Sequence, residues 1–445
     1  MDQTVSIEGR TFYQGLLEAM AQGMGSAKDY LVEHSPRSAV LAHALGARVG
    51  MDDHELAELF FGAVLADLGM IGLVEDAWEQ PVLVLPPRAR DEVQSHPLRS
   101  AAGASAIPYL GGSERLIRHH HEWWDGSGYP FNLHGEEIPL GARILRLADT
   151  VTALGEPRPQ RPALSQEEIR ETVRAGAGKE FDPKLAKLWL ELDAAGELEP
   201  YQRLEYGMLR THAVEALVPR EVPVTSAGVL LELFSSLIDA KDPYTGGHSR
   251  RVARLAGTMM DVLGHGQDLQ THARVAGYLH DLGKLSVPSR ILRKPDRLAP
   301  DENDRVREHA RDGARLLEEI PALRAFAPAC RYHHEHWDGG GYSEGIGGED
   351  IPLVARVLGI CDAYDAMTST RAYRPALTHE TAITEIRTYR KIQFGPQEAD
   401  AFLSLPSSLF ETLESDDVRD FDLLAGALHA SHAEHVEGGR GNNPQ

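Results

Sequence analysis

Apolar positions along this chain recur mainly with helical spacing. Val252, Leu255, Ala256 and Met259 fall at i, i+3, i+4 and i+7, and Val354, Val357, Leu358 and Cys361 repeat that stripe, so both segments predict amphipathic helices. Few stretches alternate with period two, and the pattern therefore predicts an all-α protein. A third helical stretch, Val275 to Lys284, has a core face of Val275, Leu279 and Leu282 and carries the adjacent pair His280-Asp281 toward one side of a helix end. Tyr201 to Thr225, with Pro219 and Pro223, reads as a helical segment followed by a short connector. A further helix is expected beyond about Asp416, before a Gly-, Asn- and Pro-containing end that reads as disordered.

The pattern is written twice. His248, His280-Asp281, His309, His333-His334 and Asp362 in the second half answer to His34, Ala66-Asp67, His96, His120-His121 and Asp149 in the first, with an offset of 214 residues for the earlier positions and 213 for the later ones. Outside these, Arg161-Pro-Ala-Leu164 matches Arg374-Pro-Ala-Leu377 and Phe181-Asp-Pro183 matches Phe394-Gly-Pro396. Two helical bundles of one architecture are expected: an N-terminal segment at 1–10, a first domain at 11–200, a linker at 201–225, a second domain at 226–415, and a C-terminal helix and tail at 416–445.

Composition narrows the partners. With 45 Lys+Arg against 67 Asp+Glu the formal charge is −22, which argues against a broad nucleic-acid or anionic-membrane surface and favours a small substrate. Cys330 and Cys361 form neither a CxxC nor a disulfide framework, so a reducing, cytoplasmic setting is expected. The start lacks a basic apolar leader, and the longest apolar stretch, Phe60 to Val74, is broken by Asp67 and too short to span a bilayer.

A His-Asp dipeptide alone means little, but seven candidate ligands on separate helices mean more. Imidazoles with two carboxylates suit two divalent transition-metal ions, Fe or Mn first, with Zn, Co or Ni as the other candidates, rather than Mg or Ca. Asp281 and Asp362 neutralise only half the charge of two such ions, leaving a positive centre able to bind phosphate and to activate water.

The run HDLGK (His280 to Lys284), the HHEHWDGGGY of His333 to Tyr342 and the CDAYDAMTSTRAYR of Cys361 to Arg374 together resemble the HD-GYP domain, the bacterial branch of the HD phosphohydrolases that degrades cyclic di-GMP. The resemblance covers residues 226 to 400, and the first half, with HHHEWWDGSGYP at His119 to Pro130, resembles the same family with a damaged site. It implies that His248, His280, Asp281 and Asp362 hold one metal, and that Asp281 bridges to a second held by His309, His333 and His334. Lys284 would contact the scissile phosphate and help the leaving oxygen, while Arg371 and Arg374 would grip phosphate oxygens of the dinucleotide.

Two positions depart from the family pattern. Tyr244 stands where three-metal members carry a Glu, with Tyr30 at the matching place in the first half, so two metals are expected; Ser343 replaces the signature Pro, where loss of a fixed φ would loosen the loop. In the first half Ala66 removes a ligand and Met70 stands in place of Lys284, although Asp67, His96, His120, His121 and Asp149 could still hold the second metal alone. That half is expected to be a non-catalytic regulatory or packing domain.

The expected activity is hydrolysis of cyclic di-GMP to the linear dinucleotide, with GMP as the alternative end product. The rivals are hydrolysis of cyclic GMP-AMP or a mononucleotide on the same fold, and a signalling scaffold without turnover. A homodimer or signalling-protein contact through the Gly-Tyr-Pro loops is a candidate partnership.

Overall fold

The computed structural model describes residues 9–25, 34–71, 85–158, 161–198, 206–242, 247–294, 296–370 and 375–413. Among these there is no multi-residue strand, only four isolated bridges, and the chain is all-α as the periodicity predicts. It divides into two compact units, one of Met24–Arg220 and the other of Met1–Gly23 with Glu221–Gln445.

In the larger unit, helix His248–Val262 packs along Gln267–Leu279 and against Leu353–Thr368. The stripe Val252, Leu255, Ala256 and Met259 is buried at their contact, and so are Val357, Leu358 and Cys361. Helix His309–Glu319 lies on Ala327–Tyr332 and on the short 3-10 turn Leu282–Ser286 that follows His280-Asp281. Gly283 makes that approach possible: a Cβ there would sit 1.9 Å from the His309 carbonyl oxygen. Bare backbone thus brings Asp281 over the start of the helix that carries His309.

Helix Gly9–Gly25 belongs to this unit rather than to a first domain starting at residue 11. Phe12 packs edge-on against Phe326 with ring centroids 6.3 Å apart, and Gly15 lets the helix ride on Ile320, Ala322 and Leu323. Among the described residues it places Phe12, Tyr13 and Leu16 in the core, each no more than 1% exposed.

The other unit repeats the arrangement with helices His34–Arg48, Asp53–Leu65, His96–Ala106, Ser113–Arg118 and Leu140–Leu154. Gly69 plays the part of Gly283, since a Cβ on it would lie 2.6 Å from the His96 carbonyl oxygen. Helix Tyr206–Leu217, expected in the linker, packs on Asp53–Leu65, where Tyr206 stacks on Phe60 at 5.4 Å. The expected C-terminal helix beyond Asp416 lies outside the described residues.

Candidate metal centre

All seven predicted ligands of the second half come together on the floor of one cavity of about 310 Å³ or in the buried layer beneath it. Three of the histidines share a local device. His280, His309 and His333 each donate from Nδ1 to the carbonyl three residues earlier, those of Gly277, Val306 and Cys330, at 2.6 to 2.7 Å. A carbonyl can only accept, so the proton sits on Nδ1 and a bare Nε2 points inward. Burial pushes His280, His333 and His334 below the usual imidazole range, His334 to about 3, which keeps these rings neutral.

The inward atoms crowd. His248 Nε2 lies 3.3 Å from both His280 Nε2 and Asp362 Oδ1, and 3.6 Å from Asp281 Oδ2. Asp281 divides its oxygens: Oδ2 faces His248 and His280, the latter at 3.5 Å, while Oδ1 faces His309 Nε2 at 3.3 Å. The Nε2 atoms of His309 and His333 are buried without a hydrogen bond. Acceptors left unsatisfied in this way are costly to bury, and a shared cation is what they lack. Ligand atoms about 2.0–2.2 Å from one ion stand about 3.0–3.5 Å apart, so the donor set fits a metal pair.

Five supporting contacts escaped the sequence reading. Asp365, one helical turn after Asp362, accepts from His248 Nδ1 at 2.7 Å and from Arg251 Nε at 2.5 Å. Its i+3 spacing from Asp362 was the available signal. Tyr342 of the Gly-Gly-Gly-Tyr run stacks on His334 at 4.7 Å, and the Arg307 guanidinium lies 5.1 Å from the centroid of the tyrosine ring on which it packs. Asp242, 3.7 Å from Lys284 Nζ, was also missed.

Lys284 lies in the cavity wall with its ammonium 2.6 Å from Asp281 Oδ2. Burial opposes the charge, but Asp281 and Asp242 outweigh it and hold Lys284 protonated well above the ordinary lysine range. Ser343 has φ +131°, which a proline ring, fixed near −65°, does not reach. The loop therefore follows a path that its signature Pro would forbid, and this goes beyond added flexibility. Arg371, Arg374, Tyr244 and Tyr30 lie outside the described residues.

The first-half positions assemble differently. His34 bonds Asp149 from Nε2 and Glu156 from Nδ1, both at 2.9 Å, with Arg158 3.3 Å from Glu156. Burial works against the charge on His34, but the two carboxylates prevail and push it up to about 10. His96 and His120 face each other with Nε2 atoms 3.4 Å apart, and burial pushes both down to about 4. His121 accepts at Nδ1 from Arg146 at 2.8 Å.

Comparison with known proteins places these sites in context. The sequence pattern of the HD domain matches residues 19–185 and again 232–397. The 3'3'-cGAMP-specific phosphodiesterase 3 of Vibrio cholerae serotype O1 is 31% identical over 302 residues, 66% of this chain and 63% of that protein. A cyclic di-GMP phosphodiesterase of Thermotoga maritima is 33% identical over 212 residues, 47% of this chain and 58% of that protein. The chain thus spans about six-tenths of the length of these two relatives. The 3'3'-cGAMP-specific phosphodiesterase 1 of Vibrio cholerae serotype O1 aligns more fully, 25% identical over 90% of this chain and 92% of its own. A crystal structure of a cyclic GMP-AMP specific phosphodiesterase of V. cholerae superposes with a TM-score of 0.62 at 22% identity, covering 89% of this chain and 98% of that one, a similarity of fold.

Proposed function

The chain belongs to the HD-domain family, and we propose that its second unit is a metal-dependent phosphodiesterase that opens cyclic di-GMP to the linear dinucleotide and carries it on to GMP. The observation that carries this reading is the convergence of His248, His280, Asp281, His309, His333, His334 and Asp362, of which the last five line one cavity and two, His309 and His333, bury an Nε2 without a partner. His248, His280, Asp281 and Asp362 would hold one divalent ion, and Asp281, His309, His333 and His334 the other, with Fe or Mn favoured by this mixture of donors. The chemistry such a pair supplies when bound is polarisation of a phosphoryl oxygen and activation of the attacking water.

The chain's own residues do the rest. Asp281, with its oxygens facing different histidines, is placed to bridge. Asp365 and Arg251 fix the ring of His248, and Tyr342 fixes His334. The protonated Lys284 needs only to swing from Asp281 to meet the oxygen that leaves phosphorus. Gly359 lines the cavity, and the absence of a side chain there lets the helix approach the His333 carbonyl, which a Cβ would meet at 2.7 Å. Arg371 would hold the second phosphate. At the position of Arg374 the first unit has Arg161, which donates to the carbonyls of Ala153 and Leu154 in the last turn of helix Leu140–Leu154 and of Glu156 just beyond it. That precedent favours a loop-clamping role for Arg374 over the phosphate contact implied by resemblance.

A second reading, hydrolysis of 3'3'-cyclic GMP-AMP, is favoured by two relatives named for that substrate, one 31% identical over 66% of this chain and one aligned over 90% of it. Purified chain loaded with Mn²⁺ and offered cyclic di-GMP, 3'3'-cyclic GMP-AMP and GMP-based linear dinucleotide separates the two. Faster turnover of cyclic di-GMP supports the leading reading, a preference for the mixed ring supports the second, and no turnover of either removes both.

A further inference from the structure

The first unit has lost the ligand set of a metal pair, yet it retains a smaller arrangement that its residues do not satisfy among themselves. His96 donates from Nδ1 to the Val93 carbonyl and His120 from Nδ1 to the Ile117 carbonyl, both at 2.6 Å. Each neutral ring therefore turns an unprotonated Nε2 inward, and these two atoms face each other at 3.4 Å. Asp67 Oδ1 lies 3.5 Å from His96 Nε2. His96 and His120 are 2% and 1% exposed, so solvent does not relieve the repulsion of their two facing Nε2 atoms, and the partly exposed Asp67 adds a carboxylate oxygen beside them. Two nitrogens about 2.0–2.1 Å from one ion at a tetrahedral angle would stand about 3.3–3.4 Å apart, which is the spacing found.

The rest of that site is closed by side-chain cations. Under the 213-residue offset Arg146 stands where the second unit has Gly359, and its two guanidinium nitrogens bond His121 Nδ1 and Glu180 Oε1 at 2.8 and 2.5 Å. The counterparts of Arg146, His121 and Glu180 are Gly359, His334 and Gln393, and all three line the open cavity of the second unit. The guanidinium thus fills the place a substrate would enter and takes the lone pair that His121 would offer. On the other side His34, Asp149, Glu156 and Arg158 bond to one another.

We propose that the first unit binds one divalent transition-metal ion through His96 Nε2, His120 Nε2 and Asp67 Oδ1, as a structural ion in a site that Arg146 closes to phosphate. The other cation that could lie between the two imidazoles is a shared proton, and the experiment distinguishes them.

Full-length chain carrying His280→Ala, His309→Ala and His333→Ala, which removes three of the second unit's seven donors and so breaks both of its ligand sets, is stripped with EDTA, reloaded with Zn²⁺, desalted and analysed for metal. About one ion per chain is expected to remain, and His120→Gln added to that background should remove it with an unchanged far-UV circular dichroism spectrum. The otherwise natural chain gives a check that does not depend on the triple variant folding: His120→Gln should lower its zinc content by about one ion. Arg146→Gly, which leaves all three donors and frees His121 Nδ1, should tighten zinc binding at this site about tenfold or more in competition with a chromophoric chelator. A metal-free background variant that is folded, or an ion that survives His120→Gln, would overturn the proposal, and affinity unchanged by Arg146→Gly would overturn the part given to that arginine.

Discussion

A histidine that donates Nδ1 to the carbonyl three residues earlier has its tautomer set by the local turn of the chain just before it. His280, His309 and His333 in one unit and His96 and His120 in the other all do this, so bare Nε2 atoms are presented before any ion arrives. His248 stands apart, because its Nδ1 is held by Asp365. Asp365→Asn should keep the packing but lose the charge that orients and polarises the ring, and partners of this kind change metal affinity about 10- to 100-fold. The expected result is a weaker Mn²⁺ affinity by that factor in a calorimetric titration; unchanged affinity would reduce Asp365 to a partner of Arg251. Arg371 bears on the substrate instead. Charge-assisted bonds contribute roughly 1.5–3 kcal/mol each, so Arg371→Ala should slow cyclic di-GMP hydrolysis about ten- to a hundredfold and leave bis-p-nitrophenyl phosphate, with its single phosphate, nearly untouched. Arg374→Ala, by the precedent of Arg161, should slow both alike and lower thermal stability.

At the scale of elements, the sequence carried the helices and the ligands because both are periodic or repeated. The stripes at Val252 and Val354 lie on buried faces, and the seven candidate positions lie close to one another. What it did not carry was partner choice. Nothing in the spacing of Gly9–Gly25 says which bundle its apolar face will cover, since Phe12 and Leu16 would suit either, and only packing on Phe326, Ile320 and Leu323 assigns it. Nor did it show that Arg146 reaches His121, because a charged residue on a helix usually reads as a solvated one. Phe12 is 1% exposed, and removing a buried phenyl costs about 3–5 kcal/mol. Phe12→Ala should therefore lower the unfolding midpoint of the second unit, followed by calorimetry, although residue 12 lies over two hundred positions from it in sequence. A loss confined to the first unit's transition would contradict the assignment. The close approach at Gly283 offers a second check, since Gly283→Ala puts a Cβ against the His309 carbonyl and overpacking of this kind costs about 1–3 kcal/mol.

The whole molecule carries one architecture twice, with different means of balancing charge. In the second unit the inward donors lie beside an open cavity, whereas in the first Arg146, His34 and Arg158 bring positive side chains around the smaller His96, His120 and Asp67 set. From Ala66 and Met70 against His280 and Lys284 we propose that hydrolysis belongs to the second unit alone. The most direct test of that claim is paired metal analysis and cyclic di-GMP hydrolysis on the full-length chain and on Asp281→Ala, purified anaerobically. The natural chain should turn over substrate, and Asp281→Ala should lose the second unit's metal and its turnover together. A variant that kept its metal content and hydrolysed cyclic di-GMP at the natural rate would contradict the account.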